Sequence, residues 1–521
     1  MIHLGIDYGT ANTRVSLCKH KDIPSPLAIG HASSWVMPSA SLIDSSGQIL
    51  VGEQTLSRPE RLRFVKRYWQ DRPEDQASNP WRGGEMTIAG KVFTCEMMAE
   101  RVISEAIARA FAAIGPQGAE EGFTANIVCP VTFDLTRRHA LARILSDQGA
   151  RSVTLSNVID EPMTAAVLYG QVATTPPVNK DLLVFDAGAG TTDAAIVRYH
   201  EEGGWKRITV LAEQGRCCAG SDLDQVIQTL IGQKIAGLTG ISDLEQICSA
   251  YGPDKAVGRL ILEDECEQVK IVLSNSASYR WEKRNFMGRP SLGFDITREE
   301  FRQAARKILL QIEAIIKGLL KEASCFVEDF DGVDIALPVG GTSKLPMVRD
   351  IVADVCGGPV VHRDDIYFDE MLATVRGVGF AKEFKDVVIK RPPYSIELRA
   401  TLADGSVVSK PVHQAFDKIY DWRQTFQTAL PCKEVFLDFD NPVDTLELFF
   451  ISPSGQRQAA ELPHDLFRGR TRLHLRLNVR ASLSLDSHTI QMPYFTQVGL
   501  KPPRPFDPKK LNAPDVYPDD N

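Results

Sequence analysis

Two segments of the 521-residue sequence place an acidic side chain just before a glycine-rich turn, a pattern suited to phosphate binding. Residues 6–12 are Ile-Asp-Tyr-Gly-Thr-Ala-Asn, and residues 185–193 are Phe-Asp-Ala-Gly-Ala-Gly-Thr-Thr-Asp. Small residues in such turns let backbone N–H groups approach an anion closely. One such turn is a weak signal, but two copies of the same plan predict an internal duplication with two facing phosphate-binding hairpins.

A third segment offers a surface for a nucleoside. Residues 338–346, Pro-Val-Gly-Gly-Thr-Ser-Lys-Leu-Pro, carry a predicted strand into two adjacent glycines. A strand that ends in Gly-Gly leaves a flat stretch of backbone, against which a nucleoside can lie. This signal is weak when it is taken alone.

The elements that must position these segments alternate over about the first 384 residues, which predicts an α/β fold. Short apolar runs predict strands at residues 4–7, 14–18, 125–129, 182–186 and 335–339. An amphipathic helix is predicted at residues 97–113. A capping box of Thr297 and Glu300 predicts a long helix that continues toward Ala323.

The character of the sequence changes after residue 384. Residues 385–393 contain two adjacent prolines and predict an interdomain linker. Residues 394–500 have mostly period-two patterns, which predict a β-rich domain. Residues 501–521 hold six prolines and no apolar period, which predicts a disordered tail.

Composition excludes several classes of protein. Lys plus Arg number 59 against 67 Asp plus Glu, a net charge of −8. This mild acidity argues against a protein that coats nucleic acid or an anionic membrane. No apolar stretch approaches the roughly 18 residues of a membrane span, and no signal-peptide pattern opens the chain, so a cytoplasmic location is predicted. The ten cysteines include no C-x-x-C pair, so no zinc site is expected.

The three segments together resemble the phosphate-1, phosphate-2 and adenosine motifs of the actin/Hsp70/sugar-kinase superfamily. Their order resembles that of Hsp70 (DnaK-like) chaperones, as do residues 64–67, 159–166, 220–224 and 267–274. The resemblance covers residues 1–384 and continues weakly beyond them. It implies a two-lobed, actin-like ATPase domain of duplicated ribonuclease-H-like subdomains, followed by an all-β, sandwich-like domain that binds a substrate or partner.

The resemblance also implies roles for individual residues. Asp7 and Asp186 would hold hydrated Mg²⁺. Lys66 would lie beside the γ-phosphate, Glu161 would orient the attacking water, and Thr191 would offer its hydroxyl to phosphate. The cofactors are then ATP or ADP with Mg²⁺, and K⁺ is a further candidate. Nucleotide contacts are implied for Gly9, Thr10, Ala11, Asn12, Gly188, Ala189, Gly190, Thr191, Gly220, Glu267, Lys270, Ser274, Gly340, Gly341, Thr342 and Lys344.

Some positions depart from the family's pattern. Ala189 replaces a glycine, and its Cβ would crowd the second phosphate loop if the position needed a positive φ. Ile271 and Lys344 replace two arginines on the adenine side, which predicts a weaker hold on the base, because arginine stacks better. Pro130 and Arg138 match the pair through which the family passes the nucleotide state to its other domain.

Other departures concern partners. Asn157 stands where the family has an arginine that contacts J-domain cochaperones, and the linker ends in basic residues rather than aspartate. Both changes argue against a generic J-domain partner. A nucleotide-exchange factor stays a candidate partner. No pattern for a helical lid follows the β-rich domain.

Two interpretations follow from these observations. The leading one is an Hsp70-like chaperone that hydrolyses ATP slowly and couples this to binding of extended protein segments by a lid-less β domain. The alternative is a nucleotide-sensing scaffold with slow ATPase activity and one dedicated protein partner. A sugar kinase fits residues 159–162 and 387–389 poorly, and an actin-like filament protein would not carry the β domain.

Overall fold

The computed structural model describes the main body of the chain. The described residues are 2–18, 23–69, 81, 84–88, 90–115, 123–133, 135–146, 153–173, 179–202, 205–326, 330–357, 371–380, 386–390, 395–414, 420–421, 432–451, 457–460, 462, 464–478, 483–485 and 488–490. The predicted tail at residues 501–521 lies outside them, as do residue 385 and residues 391–393 of the predicted linker. Every helix in the described part is too short or too polar to cross a membrane.

The first lobe is built on a mixed sheet. Its strands are β1 Ile2–Tyr8, β2 Asn12–Cys18, β3 Ser25–Pro26, β4 Met37–Pro38, β5 Ser41–Ile43, β6 Ile49–Val51, β7 Glu85–Ile88, β8 Lys91–Thr94, β9 Phe123–Cys129 and β10 Val153–Asp160. Its helices are α1 Val65–Tyr68, α2 Cys95–Ile114, α3 Leu135–Ser146 and α4 Glu161–Val172. The main sheet has the order β10-β9-β1-β2-β3, and β4 also pairs with β2. Strand β1 runs antiparallel to β2 and parallel to β9.

The second lobe repeats this plan. Its strands are β11 Lys180–Ala187, β12 Thr192–Glu202, β13 Trp205–Arg216, β14 Ser278–Phe286, β15 Arg289–Thr297, β16 Ile335–Val339 and β17 Asp386–Lys390. Its helices are α5 Gly220–Thr239, α6 Leu244–Tyr251, α7 Lys255–Asn275, α8 Arg298–Ala304, α9 Arg306–Phe326, α10 Pro346–Cys356 and α11 Ala373–Phe380. Strand β11 runs antiparallel to β12 and parallel to β16, as β1 does to β2 and β9. The predicted duplication is therefore confirmed.

Local signals account for most helix positions. Helix α2 covers the predicted amphipathic segment, and the Thr94 side chain caps it. The predicted capping box of Thr297 and Glu300 begins α8. The single long helix expected from there toward Ala323 is wrong, because Ala305 has a ψ of −1° and interrupts it. Helix α9 then starts at the next residue.

A buried apolar cluster joins the two lobes. Helices α4 and α11 lie between the sheets, and Met163 and Val378 belong to this cluster. The two helices cross closely, because a Cβ added to Gly377 would lie 1.8 Å from the Thr164 carbonyl oxygen. Helix α4 begins at Glu161, directly after β10. The same packing therefore fixes the position of a predicted site residue.

The C-terminal domain is a β-sandwich. Its strands are β18 Ser395–Leu402, β19 Val407–His413, β20 Tyr420–Asp421, β21 Cys432–Asp438, β22 Val443–Ile451, β23 Arg457–Ala460, β24 Arg472–Asn478, β25 Leu483–Leu485 and β26 His488–Ile490. One sheet has the order β19-β18-β22-β23 and the other β21-β24-β25-β26. Leu398, Leu448 and Leu473 belong to a core shared by both sheets. The predicted β-rich, sandwich-like domain is confirmed.

The segment predicted to be a linker contains strand β17. It runs parallel to β13, with Val388 opposite Ile208 and Ile389 opposite Thr209. Its other edge pairs antiparallel with β20 of the C-terminal domain. The linker backbone is thus held on both edges within the second lobe's sheet. The domain boundaries at residues 384 and 394 stay predictions.

Candidate functional site

The two glycine-rich turns meet each other. The first joins β1 to β2, and the second joins β11 to β12. A Cβ added to Gly190 would lie 2.5 Å from Cγ2 and 2.7 Å from Oγ1 of Thr10, so only glycine fits at this contact. The Gly188 N–H donates to the Thr191 carbonyl at 2.9 Å and closes the second turn. The structure therefore brings the two predicted phosphate hairpins together.

Four buried carboxylates, those of Asp7, Glu161, Asp186 and Asp193, lie where the turns meet. Their residues are 7%, 8%, 7% and 0% exposed, respectively. Asp193 is the one that sequence reasoning missed. It lies directly opposite Asp186 in the β11–β12 register, and cross-strand partners share a face of the sheet. The strand pairing across the second turn was the signal that could have found it.

Lys66 is a fully buried cation beside these acids. The residue is 2% exposed, and its Nζ donates to Glu161 Oε1 at 2.6 Å and to the Tyr8 carbonyl at 2.5 Å. Phe64, two residues earlier, has a φ of 59°. A left-handed conformation costs a non-glycine residue about 1–3 kcal/mol and persists only where the surrounding structure enforces it. The structure therefore tolerates backbone strain at Phe64, in the segment that places Lys66 in the site.

The site carries more negative charge than it neutralises. Among the described residues, the buried acids of the site number four, and the cations paired with them are Lys66 and Arg14, whose Nη1 lies 3.4 Å from Asp7 Oδ2. Four minus two leaves a formal excess of two negative charges. Burial then disfavours the charged forms of Glu161, Asp186 and Asp193.

The pKa values of the site reflect this excess. Burial raises the pKa of Asp186 well above its ordinary value, and the charges of Glu161 and Asp193 add to the effect. Burial and the Glu161 charge raise the pKa of Asp193 to about 7, and burial also raises the pKa of Glu161. Burial opposes the charge on Lys66, but the Glu161 and Asp7 carboxylates outweigh it and raise the pKa of Lys66.

The predicted nucleoside segment lies against the second turn. The Gly188 carbonyl accepts from the Thr342 hydroxyl at 2.7 Å and from the Gly220 N–H at 3.1 Å. Gly340 ends β16 with a φ of 81°, and a Cβ there would lie 2.4 Å from the Ala187 carbonyl oxygen. The two glycine-rich segments and the start of α5 therefore form one continuous backbone surface.

Helix α7 carries Glu267, Lys270 and Ser274 at spacings that place them on one face. Lys270 Nζ lies 2.7 Å from an Asp224 carboxylate oxygen, and Ser274 donates to the Lys270 carbonyl at 3.1 Å. Glu267 Oε2 accepts from Arg63 of the first lobe at 2.6 Å. The helix is thus tied to both lobes beside the second turn.

The remaining predicted contacts lie at the edges of the turns. Gly9 and Ala11 are in the first turn, and Asn12 begins β2. Gly341 precedes a short 3₁₀ turn that ends at Lys344. In the described part of the chain, no hydrogen bond joins Asn12 or Lys344 to the four carboxylates.

Comparison with known proteins identifies the family. A model for the family described as Hsp70 protein matches residues 75–380. The chain belongs to the Hsp70 family. The chaperone protein DnaK of Methanothermobacter thermautotrophicus is 28% identical over 401 residues, which cover 74% of this chain and 61% of that protein. The chaperone protein DnaK of Thermus thermophilus is 24% identical over 418 residues, 74% of this chain and 62% of that protein. The chain thus spans about six-tenths of the length of these curated relatives.

Two departures from the Hsp70 pattern have structural outcomes. Ala189 is not among the non-glycine residues with a positive φ, and its carbonyl accepts from the Ser221 N–H at 2.7 Å. Alanine therefore fits this loop without backbone strain. Ile271 follows Lys270 on α7 and is 48% exposed, so its apolar side chain is open to solvent at this position. The weaker hold on adenine stays a prediction.

The Pro130 and Arg138 pair lies next to the site. The N–H of the residue after Pro130 donates to Asp193 Oδ1 at 2.9 Å. Arg138 forms a salt bridge with Asp160, the residue before Glu161. The backbone next to Pro130 thus contacts one site carboxylate, and Arg138 contacts the residue that precedes another.

The donor set suits a hydrated divalent cation. Among the described residues, no three Asp, Glu, His or Cys side chains are grouped closely enough to hold a bare metal ion. Mg²⁺ keeps several of its waters and needs only one or two carboxylates. An excess of two negative charges matches such an ion, and Asp7 and Asp186 are the residues that would hold it.

Replacing Asp193 tests the charge excess. In the folded, metal-free protein the pKa of Asp193 is about 7, whereas in the unfolded chain it has its ordinary value of about 4. Between these values the unfolded chain releases a proton that the folded protein keeps. The free energy of unfolding should therefore fall as pH rises from about 4 toward about 7. The Asp193→Asn variant has no carboxylate to ionise, so it should not lose this stability. Its melting temperature at about pH 8 should be about 2–4 °C higher than that of the wild type. Calorimetry of the metal-free protein measures this.

The matched control is Asp181→Asn. Asp181 is likewise a buried aspartate, on the neighbouring strand β11, but Arg198 neutralises it through hydrogen bonds of 2.7 and 2.8 Å. Removing this carboxylate charge should lower the melting temperature, because the part-buried guanidinium loses the ion pair that these two hydrogen bonds make. A lowered melting temperature in Asp193→Asn would contradict the charge excess.

Proposed function

We propose that this chain binds ATP with Mg²⁺ and hydrolyses it slowly. The observation that carries the proposal is the meeting of two phosphate hairpins around four buried carboxylates and Lys66. Phosphoryl transfer to water requires charge neutralisation at the phosphates and a water held in line. Bound Mg²⁺ supplies part of that neutralisation, and the side chains of the site supply the rest.

Each side chain has a proposed task. Lys66 offsets the negative charge that develops on the γ-phosphoryl oxygens in the transition state. Glu161, held by Lys66, accepts a hydrogen bond from the attacking water and orients it. Thr10 and Thr191 offer hydroxyls to the phosphates from the two facing turns. Asp193, which lies opposite Asp186 in the strand register, is proposed to take up the proton that the water releases.

Substitution of Lys66 tests the ATPase assignment. Lys66→Ala should abolish Mg²⁺-dependent phosphate release and leave ATP affinity within about tenfold, because the ammonium acts mainly on the transition state. Phosphate release and equilibrium binding are measured separately. Lys317→Ala is the control, since Lys317 is 63% exposed on α9 and pairs only with Glu313 among the described residues. Normal turnover by Lys66→Ala would reject the assignment.

We infer that the ATPase cycle acts on the β-sandwich domain, as in a chaperone. Two relatives are named as chaperones. The two outer strands of one sheet, β19 and β23, have free edges among the described strands, and an extended protein segment can add to such an edge. Protein clients are therefore the proposed partners, with a nucleotide-exchange factor as a further candidate.

One feature favours the scaffold alternative. Strand β17 pairs with β13 on one edge and with β20 on the other. Releasing a strand that is paired on both edges costs more hydrogen bonds than releasing one paired on a single edge. A domain arrangement that persists through the nucleotide cycle would suit one dedicated partner better than repeated client exchange.

Proteolysis of the linker distinguishes the two functions. A coupled chaperone should show different cleavage rates at residues 385–393 with ATP and with ADP, because each nucleotide favours one linker state. Replacing Val387, Val388 and Ile389 with Asp should erase the difference. Val407→Asp is the control, since Val407 is 53% exposed on β19. Equal cleavage with ATP, ADP and no nucleotide would make the linker a passive tether and favour the scaffold.

A further inference from the structure

The duplicated hairpins differ in charge at one equivalent position. In the first hairpin the residue opposite Asp7 is Arg14. In the second hairpin the residue opposite Asp186 is Asp193. Both partners follow their carboxylate by the same number of residues, and cross-strand partners share a face of the sheet. Arg14 therefore faces the site from the first lobe, as Asp193 does from the second.

Arg14 has unused hydrogen-bonding capacity. Its side chain is 12% exposed. Its polar side-chain contact in the described part of the chain is one bond from Nη1 to Asp7 Oδ2 at 3.4 Å, near the long limit for such a bond. A guanidinium has five N–H donors in a fixed fork. The other guanidinium nitrogens of Arg14 are not among the buried atoms that lack a partner, so they are open to solvent and free to bind an anionic group.

The surroundings indicate which anion would bind there. Asp7 begins the turn that carries Gly9 and Thr10, and that turn contacts Gly190 of the second turn. Backbone N–H groups of such turns and a guanidinium fork are both recognition elements for phosphate oxygens. A carboxylate ligand could bind the same fork, but a phosphate chain has enough oxygens to bind the fork and the N–H groups of both turns.

We propose that Arg14 binds phosphoryl oxygens of the nucleotide directly. This inference rests on the proposed nucleotide-binding function and adds to it a residue of the first hairpin. Asp7 holds the guanidinium in place on the neighbouring strand, and the remaining N–H donors turn toward the phosphates. Arg14 thus places a fixed positive charge in the first lobe, opposite the two acids of the second lobe.

This role predicts nucleotide binding that does not depend wholly on metal. In excess chelator, Arg14 and Lys66 are the cations of the described site that would meet the phosphates. In the absence of Mg²⁺, Arg14→Gln should therefore raise the dissociation constant for ADP by about ten- to a hundredfold. This corresponds to the loss of one or two hydrogen bonds from a charged group. Arg14→Lys keeps the charge without the fork and should recover part of the affinity.

Calorimetric titration of the full chain with ADP, ATP and adenosine, with chelator and with Mg²⁺, measures these affinities. Adenosine lacks phosphate, so its affinity should be the same for Arg14→Gln and the wild type. Arg109→Gln is the matched control, because Arg109 also pairs with carboxylates in the first lobe, namely Glu53 and Glu105, and is not part of the site. Its nucleotide affinities should be unchanged.

Three outcomes would overturn the proposal, and they are distinguishable. Equal metal-free ADP affinity for Arg14→Gln and the wild type would show that Arg14 does not touch phosphate. Tighter Mg²⁺–ADP binding by Arg14→Gln, with no loss in chelator, would show that the residue only screens Asp7. Failure of the wild type to bind any nucleotide would reject the proposed function itself, together with this inference.

Discussion

Buried negative charge that the chain does not neutralise by itself is the constraint on which the rest of the site depends. Isolated buried carboxylates are costly and survive only when paired or joined to a cation. Lys66 and Arg14 compensate two of the four acids. The other two acids, Asp186 and Asp193, have raised pKa values in the protein without ligands, and binding of a cation with an anionic nucleotide would let them ionise.

The framework that maintains this charge is the duplicated hairpin. In both lobes a strand carrying aspartate pairs with the strand that follows the turn, and register alone decides which side chain stands opposite. Helices α4 and α11 pack between the lobes and fix Glu161 relative to Asp186, whose Oδ2 accepts from the Thr374 hydroxyl at 3.2 Å. Tight glycine contacts, as at Gly190, then set the distance between the two turns.

The sequence predicted what depends on local pattern and missed what depends on pairing. Asp before a glycine turn is a local signal, so Asp7, Asp186 and the duplication could be predicted from the sequence. The positions of Asp193 and Arg14 in the site depend on the strand register, since turn length sets which residues face each other. The interruption of the predicted long helix at Ala305 and the pairing of β17 with β20 depend on tertiary packing. No local sequence pattern predicts either of them.

The most direct test of the central claim is the melting temperature of the full chain under four conditions: alone, with Mg²⁺, with ATP, and with both. If the uncompensated carboxylates form a joint site for cation and phosphate, the two ligands together should stabilise the protein by more than the sum of their separate effects. Ligands at about a hundred times their dissociation constant contribute about 2.7 kcal/mol, enough for a shift of several degrees. Additive shifts, or none, would contradict the account.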